Sequence, residues 1–380
     1  MKLLFEKVDL LLDEYVEFLI KLCNIESKSD DKEGLDRVCG LICAFGREKG
    51  YEIKPLTLGK AGNIASLTYN PGGKGDLVCV SAHMDTVFDK GEFGYPPVTK
   101  SGDILRGPGV IDCKGGIAVS LLVMEALKLS GYDKRPVKLI LQSDEEVESA
   151  LSDRKTLDFM LDEARGAAAF FNCEGRTKGF LTTGRKGIIR VCLDISGRAA
   201  HAGDYFDGAS AIREAAFKII DLEEKSVKDG ITYNCGVIKG GTALNVVPDS
   251  CKVYIDIRVR DENEFEKAMR EVEKTSEKVF VAGTKSKVVP VSHRKPMVRT
   301  KQNADLFGHI NGVSKRYGFG EQREFYSNGG SDAAYTTLAG IPTVDDIGPV
   351  GGKYHTKDEW CSVSSVGESA KLIAASIIEL

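Results

Sequence analysis

Residues 76–87 read DLVCVSAHMDTV, an apolar run of strand length that breaks off into His83 and Asp85. The same form returns twice. Residues 137–146, VKLILQSDEE, end in Glu145 and Glu146, and residues 167–175, AAAFFNCEG, end at Glu174. Between the first two lies GPGVIDCKGG (107–116), a glycine-rich turn carrying Asp112, which opens into the long apolar helical stretch KGGIAVSLLVMEALKLSG (114–131). Apolar strands alternating with helices indicate a mostly parallel α/β sheet. Each strand delivers its polar residues at the carboxyl end, which is where open sheets of this kind bind ligands.

Working outward, 8–24 and 34–49 have helical periodicity, 51–57 and 63–69 have the character of short strands, and a helix is predicted near 154–165. The pattern changes near Gly184. From there the order is strand (GIIRVCLDI, 187–195), helix (210–225), strand (233–240), strand (252–259), helix (262–279) and strand (287–292). This βαββαβ order is the ferredoxin-like split motif. The expected architecture is therefore a discontinuous α/β catalytic domain, residues 1–183 and 295–380, with an inserted ferredoxin-like lid over 184–294.

Bulk properties narrow the function class. At 380 residues the chain exceeds what one core usually serves. An apolar fraction of 42% with 28% charged residues is that of a soluble enzyme. A net charge of −4 offers no basic surface for nucleic acid. No apolar run approaches the roughly 18 residues of a membrane span. The N-terminal stretch interrupts its apolar residues with Glu6, Lys7 and Asp9, unlike a secretory leader. Ten cysteines are scattered without CxxC pairs, and Cys79 and Cys192 sit inside apolar runs, so buried inert thiols and a reducing cytoplasm are expected.

His83, Asp85, Asp112, Glu145, Glu146, Glu174 and His355, the last in GGKYHTKDEW (351–360), stand out by residue type and placement. Hard oxygen donors mixed with imidazole suit zinc, manganese or cobalt better than calcium, magnesium or copper. Read alone, each has a plainer meaning: Asp112 could cap the long helix, Asp85 could be a surface charge, and His83 could be a structural histidine. The plain readings weaken together, because four acid-bearing strand or turn ends would converge on one rim of one sheet.

SAHMDT, GPGVIDCKGG, SDEE, NCEG, AAHAGD, NGGSDAAY and YHTKDEW occur in the order found in the zinc aminoacylase/carboxypeptidase metallohydrolases. The chain resembles that family from about residue 10 to its end, with glutamate carboxypeptidase nearest and succinyl-diaminopimelate desuccinylase and acetylornithine deacetylase as cousins. The resemblance implies that Asp112 bridges two zinc ions, with manganese or cobalt as possible substitutes. His83 and Glu174 would complete one site, and Glu146 and His355 the other. Asp85 would fix the His83 tautomer, and Glu145 would act as general base toward an activated water. A cis peptide between Asp112 and Cys113 is also implied.

In the inserted domain, His201 of AAHAGD reads alone as a surface or capping histidine; the resemblance implies that it stabilises the oxyanion, often in a partner subunit's site. Asn245 and Arg258 match residues that grip a substrate carboxylate, although Arg258 equally fits the polar face of a strand whose alternate residues are Val253, Ile255, Ile257 and Val259. Ser331, in NGGSDAAYTTLAG (328–340), is either a helix cap or part of a carboxylate-binding helix start. His293 and His309 match nothing in the family pattern. Two departures are mild: NCEG lacks a following proline, and Cys113 stands where Met or Asp is frequent, neither expected to touch a ligand atom.

The predicted activity is dizinc hydrolysis of an amide next to a free carboxylate, on a small peptide or an N-acyl amino acid, by a homodimer joined through the lid. Glu174, rather than Asp, favours the carboxypeptidase and deacylase branch. The competing reading within the family is an N-acyl amino acid deacylase or desuccinylase. From another class, a catalytically dead, metal-free binding protein would lack a ligand or the base, and here all five ligand positions and Glu145 are present.

Overall fold

The computed structural model describes residues 1–380, which separate into two compact units. The first comprises Met1–Thr183, Arg299–Tyr326 and Asp332–Leu380; the second comprises Gly184–Val298 with Ser327–Ser331.

The first unit is built on a six-stranded sheet in the order Glu52–Leu56, Ile64–Tyr69, Val137–Gln142, Val78–His83, Ala169–Asn172, Thr343–Val344. The last four strands run parallel to one another, and the first two form an antiparallel edge. Strand Val78–His83 is buried at every position, which explains its continuous rather than alternating apolar sequence. The helix Lys114–Leu129 packs against this strand and against the helices Lys2–Cys23 and Val363–Glu379. Covered on several sides, it is buried from Lys114 through Leu127 and so has no polar stripe. Its start is pressed onto the end of the neighbouring strand. A Cβ added at Gly116 would stand 2.1 Å from the carbonyl oxygen of Cys173, so only glycine permits that approach.

A small antiparallel sheet completes this unit, in the order Gly351–Gly352, Trp360–Ser362, Ile104–Arg106, Thr99–Ser101. It joins the segment before Asp112 to the C-terminal segment that carries His355.

The second unit has one antiparallel sheet in the order Thr232–Gly240, Ser250–Val259, Gly187–Ser196, Lys285–Arg294. With helices Ala211–Glu223 and Glu262–Glu277 this is the ferredoxin-like βαββαβ arrangement. Ile189, Val191, Leu193, Val253, Ile255 and Ile257 form its core against Ala211, Ala215, Ala268 and Val272. Both helices start on side-chain caps: the Ser210 hydroxyl accepts the Arg213 N–H, and the Asp261 carboxylate accepts the Glu264 N–H. All ten cysteines are unpaired and nine are buried. No helix is long and apolar enough to cross a membrane.

Substituting Gly116→Ala should push the first turn of the long helix off Cys173 and Glu174. Overpacking of this kind costs about 1–3 kcal/mol, read as a lower urea midpoint at unchanged slope. An unchanged midpoint would show that the close approach is not a constraint.

Candidate metal centre

Three parallel strands deliver one set of side chains to a common rim. His83 is the last residue of its strand, Glu145 and Glu146 open a single 3₁₀ turn just past Val137–Gln142, and Glu174 lies two residues past Ala169–Asn172. The small sheet delivers the rest. Strand Trp360–Ser362 pairs with Ile104–Arg106. This sets His355, on the loop before the first, beside Asp112, on the turn after the second. His355 has a φ of 58°, in the left-handed region that non-glycine residues seldom occupy.

Asp112 divides its carboxylate between the two imidazoles. Its Oδ1 stands 3.1 Å from His83 Nε2, which is 3.6 Å from Glu174 Oε1. Its Oδ2 stands 3.0 Å from His355 Nε2, which is 3.2 Å from Glu146 Oε2. Each oxygen therefore belongs to a separate pairing of one histidine with one further carboxylate. Asp112 does not cap the long helix, whose N-cap position falls on Cys113 with no side-chain cap; the carboxylate is turned toward the histidines instead. The Asp112–Cys113 peptide is cis, as the family resemblance implies.

Asp85, fully buried, organises the cluster from behind. His83 Nδ1 lies 3.0 Å from the Asp85 carbonyl oxygen and 3.2 Å from its Oδ1. The same carboxylate accepts the backbone N–H groups of Glu145 (3.2 Å) and Glu146 (3.1 Å) and the Ser29 hydroxyl (2.8 Å). One buried acid thus orients an imidazole and both glutamates.

The electrostatics record an excess of negative charge. Burial and the nearby Asp112 charge push Glu146 up to about 8, and burial also raises Glu174 despite His83 beside it. Hydrogen bonds that His355 donates to the Asp112 and Glu146 carboxylates lift it to about 10. Burial alone would lower His83, yet Glu174, Cys113 and its bonds to Asp112 and Asp85 hold it well above its ordinary value. Burial would likewise raise Asp112, but the two imidazoles hold it well below the usual carboxylate range. Only added cationic charge, as protons or metal, relieves such a cluster. The donors fit a metal pair: each half offers imidazole and carboxylate around a shared carboxylate. Glu146 Oε1 is in addition buried without a hydrogen-bond partner, an acceptor left for a ligand.

Glu145 is buried in the same turn, and its charge acts on both Glu146 and Glu174. His201, Asn245, Arg258 and Ser331 belong to the other unit. His201 is exposed, and its Nδ1 accepts the Gly203 N–H at 3.1 Å, capping a short 3₁₀ segment. Asn245 is exposed, and its carbonyl accepts the Ala202 N–H. Arg258 lies on the strand face opposite the core and is paired with Asp256 at 2.6 Å. Ser331 precedes the short helix Ala333–Leu338, with Asp332 between them. His309 hydrogen-bonds the Ser376 carbonyl, and His293 packs on the Phe265 ring.

The structure adds residues not singled out from the sequence. Cys113 Sγ, His83 and Glu174 offer ligand atoms all within 4.8 Å of one another, as do His83, Asp112 and Glu146. The Cys113 side chain therefore lies near the candidate ligand atoms, and its thiol hydrogen-bonds the Cys173 carbonyl. Glu359, fully buried, accepts the N–H groups of Ile111 (3.0 Å) and Asp112 (3.2 Å) and so holds the Asp112 turn. Asp345 follows the last parallel strand and accepts from Asn172 Nδ2, steadying the approach to Glu174. Asp144 accepts the Ser152 N–H and the Thr156 hydroxyl, anchoring the segment after Glu145 and Glu146. The sequence carried a signal for two of them, since Glu359 sits in YHTKDEW and Asp144 in SDEE.

Comparison with known proteins agrees with this geometry. A family model described as peptidase family M20/M25/M40 matches residues 79–379. Carboxypeptidase G2 of Pseudomonas sp. (strain RS-16) is 28% identical over 376 residues, covering 96% of this chain and 89% of that protein. Acetylornithine deacetylase of Vibrio campbellii is 25% identical over 287 residues, covering 68% and 73%. In fold, the chain is similar to a tripeptidase from Staphylococcus aureus, with a TM-score of 0.80 at 21% identity and 97% of both chains covered.

Asp85→Asn puts an amide NH₂ where one oxygen accepts a backbone N–H. Loss of such outer support typically lowers metal affinity 10–100-fold, measurable by chelator competition on the folded variant. Unchanged affinity would contradict the organising role of Asp85.

Proposed function

The chain belongs to peptidase family M20/M25/M40 and is a hydrolase, and on that premise we propose that it cleaves an amide bond next to a free carboxylate, as a dizinc carboxypeptidase. The observation that carries this reading is the division of Asp112 between His83 with Glu174 and His355 with Glu146. That arrangement supports Asp112 as a carboxylate shared by two cations. Zinc is the favoured ion on donor chemistry, with manganese or cobalt as substitutes.

Divalent cations held there supply positive charge that polarises the scissile carbonyl and acidifies water. The chain's own residues do the rest. Glu145 lies in the turn that also bears Glu146. As general base its carboxylate takes the proton of the attacking water and gives it to the leaving nitrogen. Asp85 holds His83 and the Glu145–Glu146 turn in place.

The remaining assignments rest on the family resemblance. Residues 1–183 and 295–380 serve as the catalytic domain, and 184–294 as a lid through which two copies dimerise. His201 stabilises the oxyanion in the partner copy's site. Asn245, Arg258 and Ser331 recognise the substrate carboxylate, with Arg258 exchanging the fork it now gives to Asp256 for the planar anion. Deacylation of an N-acyl amino acid by the same residues is the second reading, supported by the similarity to acetylornithine deacetylase.

Glu145→Gln should keep its metal content by elemental analysis and lose about 10²–10⁴-fold in turnover on dipeptides or N-acyl amino acids. Mixing it with an inactive His201→Ala protein under subunit exchange should restore activity, because one site of each mixed dimer is then intact. Metal loss or near-normal turnover in Glu145→Gln would refute its role as base. No recovery despite proven exchange would refute the action of His201 across subunits.

A further inference from the structure

We propose that Cys113 is a thiolate ligand of the ion held by His83 and Glu174, which gives that half of the centre a soft donor and a preference for zinc over manganese. The proposal rests on the metal-pair reading above and adds a ligand to it. Three features carry it. Cys113 Sγ shares a span of 4.8 Å with the ligand atoms of His83 and Glu174. Two ligands of a tetrahedral zinc ion stand about 3.5 Å apart, given bonds of about 2.0–2.3 Å, so atoms within 4.8 Å of one another close on one ion by drawing in by about 1 Å.

The thiol is fully buried, and its hydrogen bond is a weak one, to the Cys173 carbonyl at 3.3 Å. Coordination therefore displaces only that weak bond. The neighbouring half of the cluster contains the buried, unpartnered Glu146 Oε1, an acceptor that points to a cation in the cluster.

On binding, the S–H bond breaks, the sulfur–metal bond forms with both electrons from sulfur, and the proton leaves to solvent. No redox change is involved. Thiolate is a soft donor that suits zinc, whereas manganese is best held by oxygen. A chain with Asp or Met at this position would lack that bias.

The test is X-ray absorption at the zinc edge on the zinc-loaded full chain, with metal content measured in parallel. The wild type should show a sulfur neighbour at about 2.3 Å. Cys113→Ser should lose it while still binding zinc, and Cys173→Ser, which removes the adjacent sulfur, should retain it. Competition dialysis should show the preference for zinc over manganese falling by roughly ten-fold or more in Cys113→Ser. Bound zinc with only nitrogen and oxygen neighbours in the wild type overturns the proposal and leaves the metal pair standing. Persistence of the sulfur neighbour in Cys113→Ser also overturns it. A chain that takes up no divalent cation overturns the proposal and the metal reading together. The wild-type spectrum alone decides whether sulfur is present, should a variant fail to fold.

Discussion

Mutual repulsion among buried carboxylates is the constraint from which the rest of this structure follows. Asp85, Asp112, Glu145, Glu146 and Glu174 lie at or near one rim, faced by two imidazoles. Charges taken out of water without partners are costly, so the fold must supply either hydrogen bonds or cations. It does both in different places. Asp85 is satisfied by two backbone N–H groups, a hydroxyl and an imidazole. Glu146 is not, and it is raised to about 8 by burial and by Asp112. An acid fully satisfied by the protein organises; an acid left short awaits a ligand.

The acids reach this rim from a parallel sheet and a separate small sheet. Parallel strands bring His83, the Glu145–Glu146 turn and Glu174 to one edge. No strand of that sheet can reach the opposite side of Asp112. The C-terminal hairpin does so by pairing with the segment that precedes Asp112, which seats His355. Glu359, on the same hairpin, accepts the N–H of Asp112 itself, so the element that brings the second imidazole also holds the shared carboxylate. Gly116 lets the helix that follows press against the strand end bearing Glu174.

Much of this was legible in the sequence, for a physical reason. Continuous apolar runs ending in His83, Glu145–Glu146 and Glu174 could belong only to buried parallel strands with polar carboxyl ends. The βαββαβ order after Gly184 was equally plain, because its strand Ser250–Val259 alternates inward and outward residues throughout. What was not legible depended on turns. Whether Asp112 caps its helix or faces the histidines is decided in the turn that precedes the helix, and no periodicity encodes that. The same turn placed the Cys113 thiol among the ligand atoms. Glu359 and Asp345 act through backbone amides and an amide side chain distant in sequence, which only the fold brings near.

The central claim is that Asp112 is shared by two cations. Anomalous diffraction at the zinc edge from crystals of the zinc-loaded protein tests it most directly. The account predicts two peaks about 3.5–4 Å apart, one beside His83 and Glu174 and the other beside His355 and Glu146, with an Asp112 oxygen on each. A single peak at full occupancy, or two peaks that do not share Asp112, would contradict it.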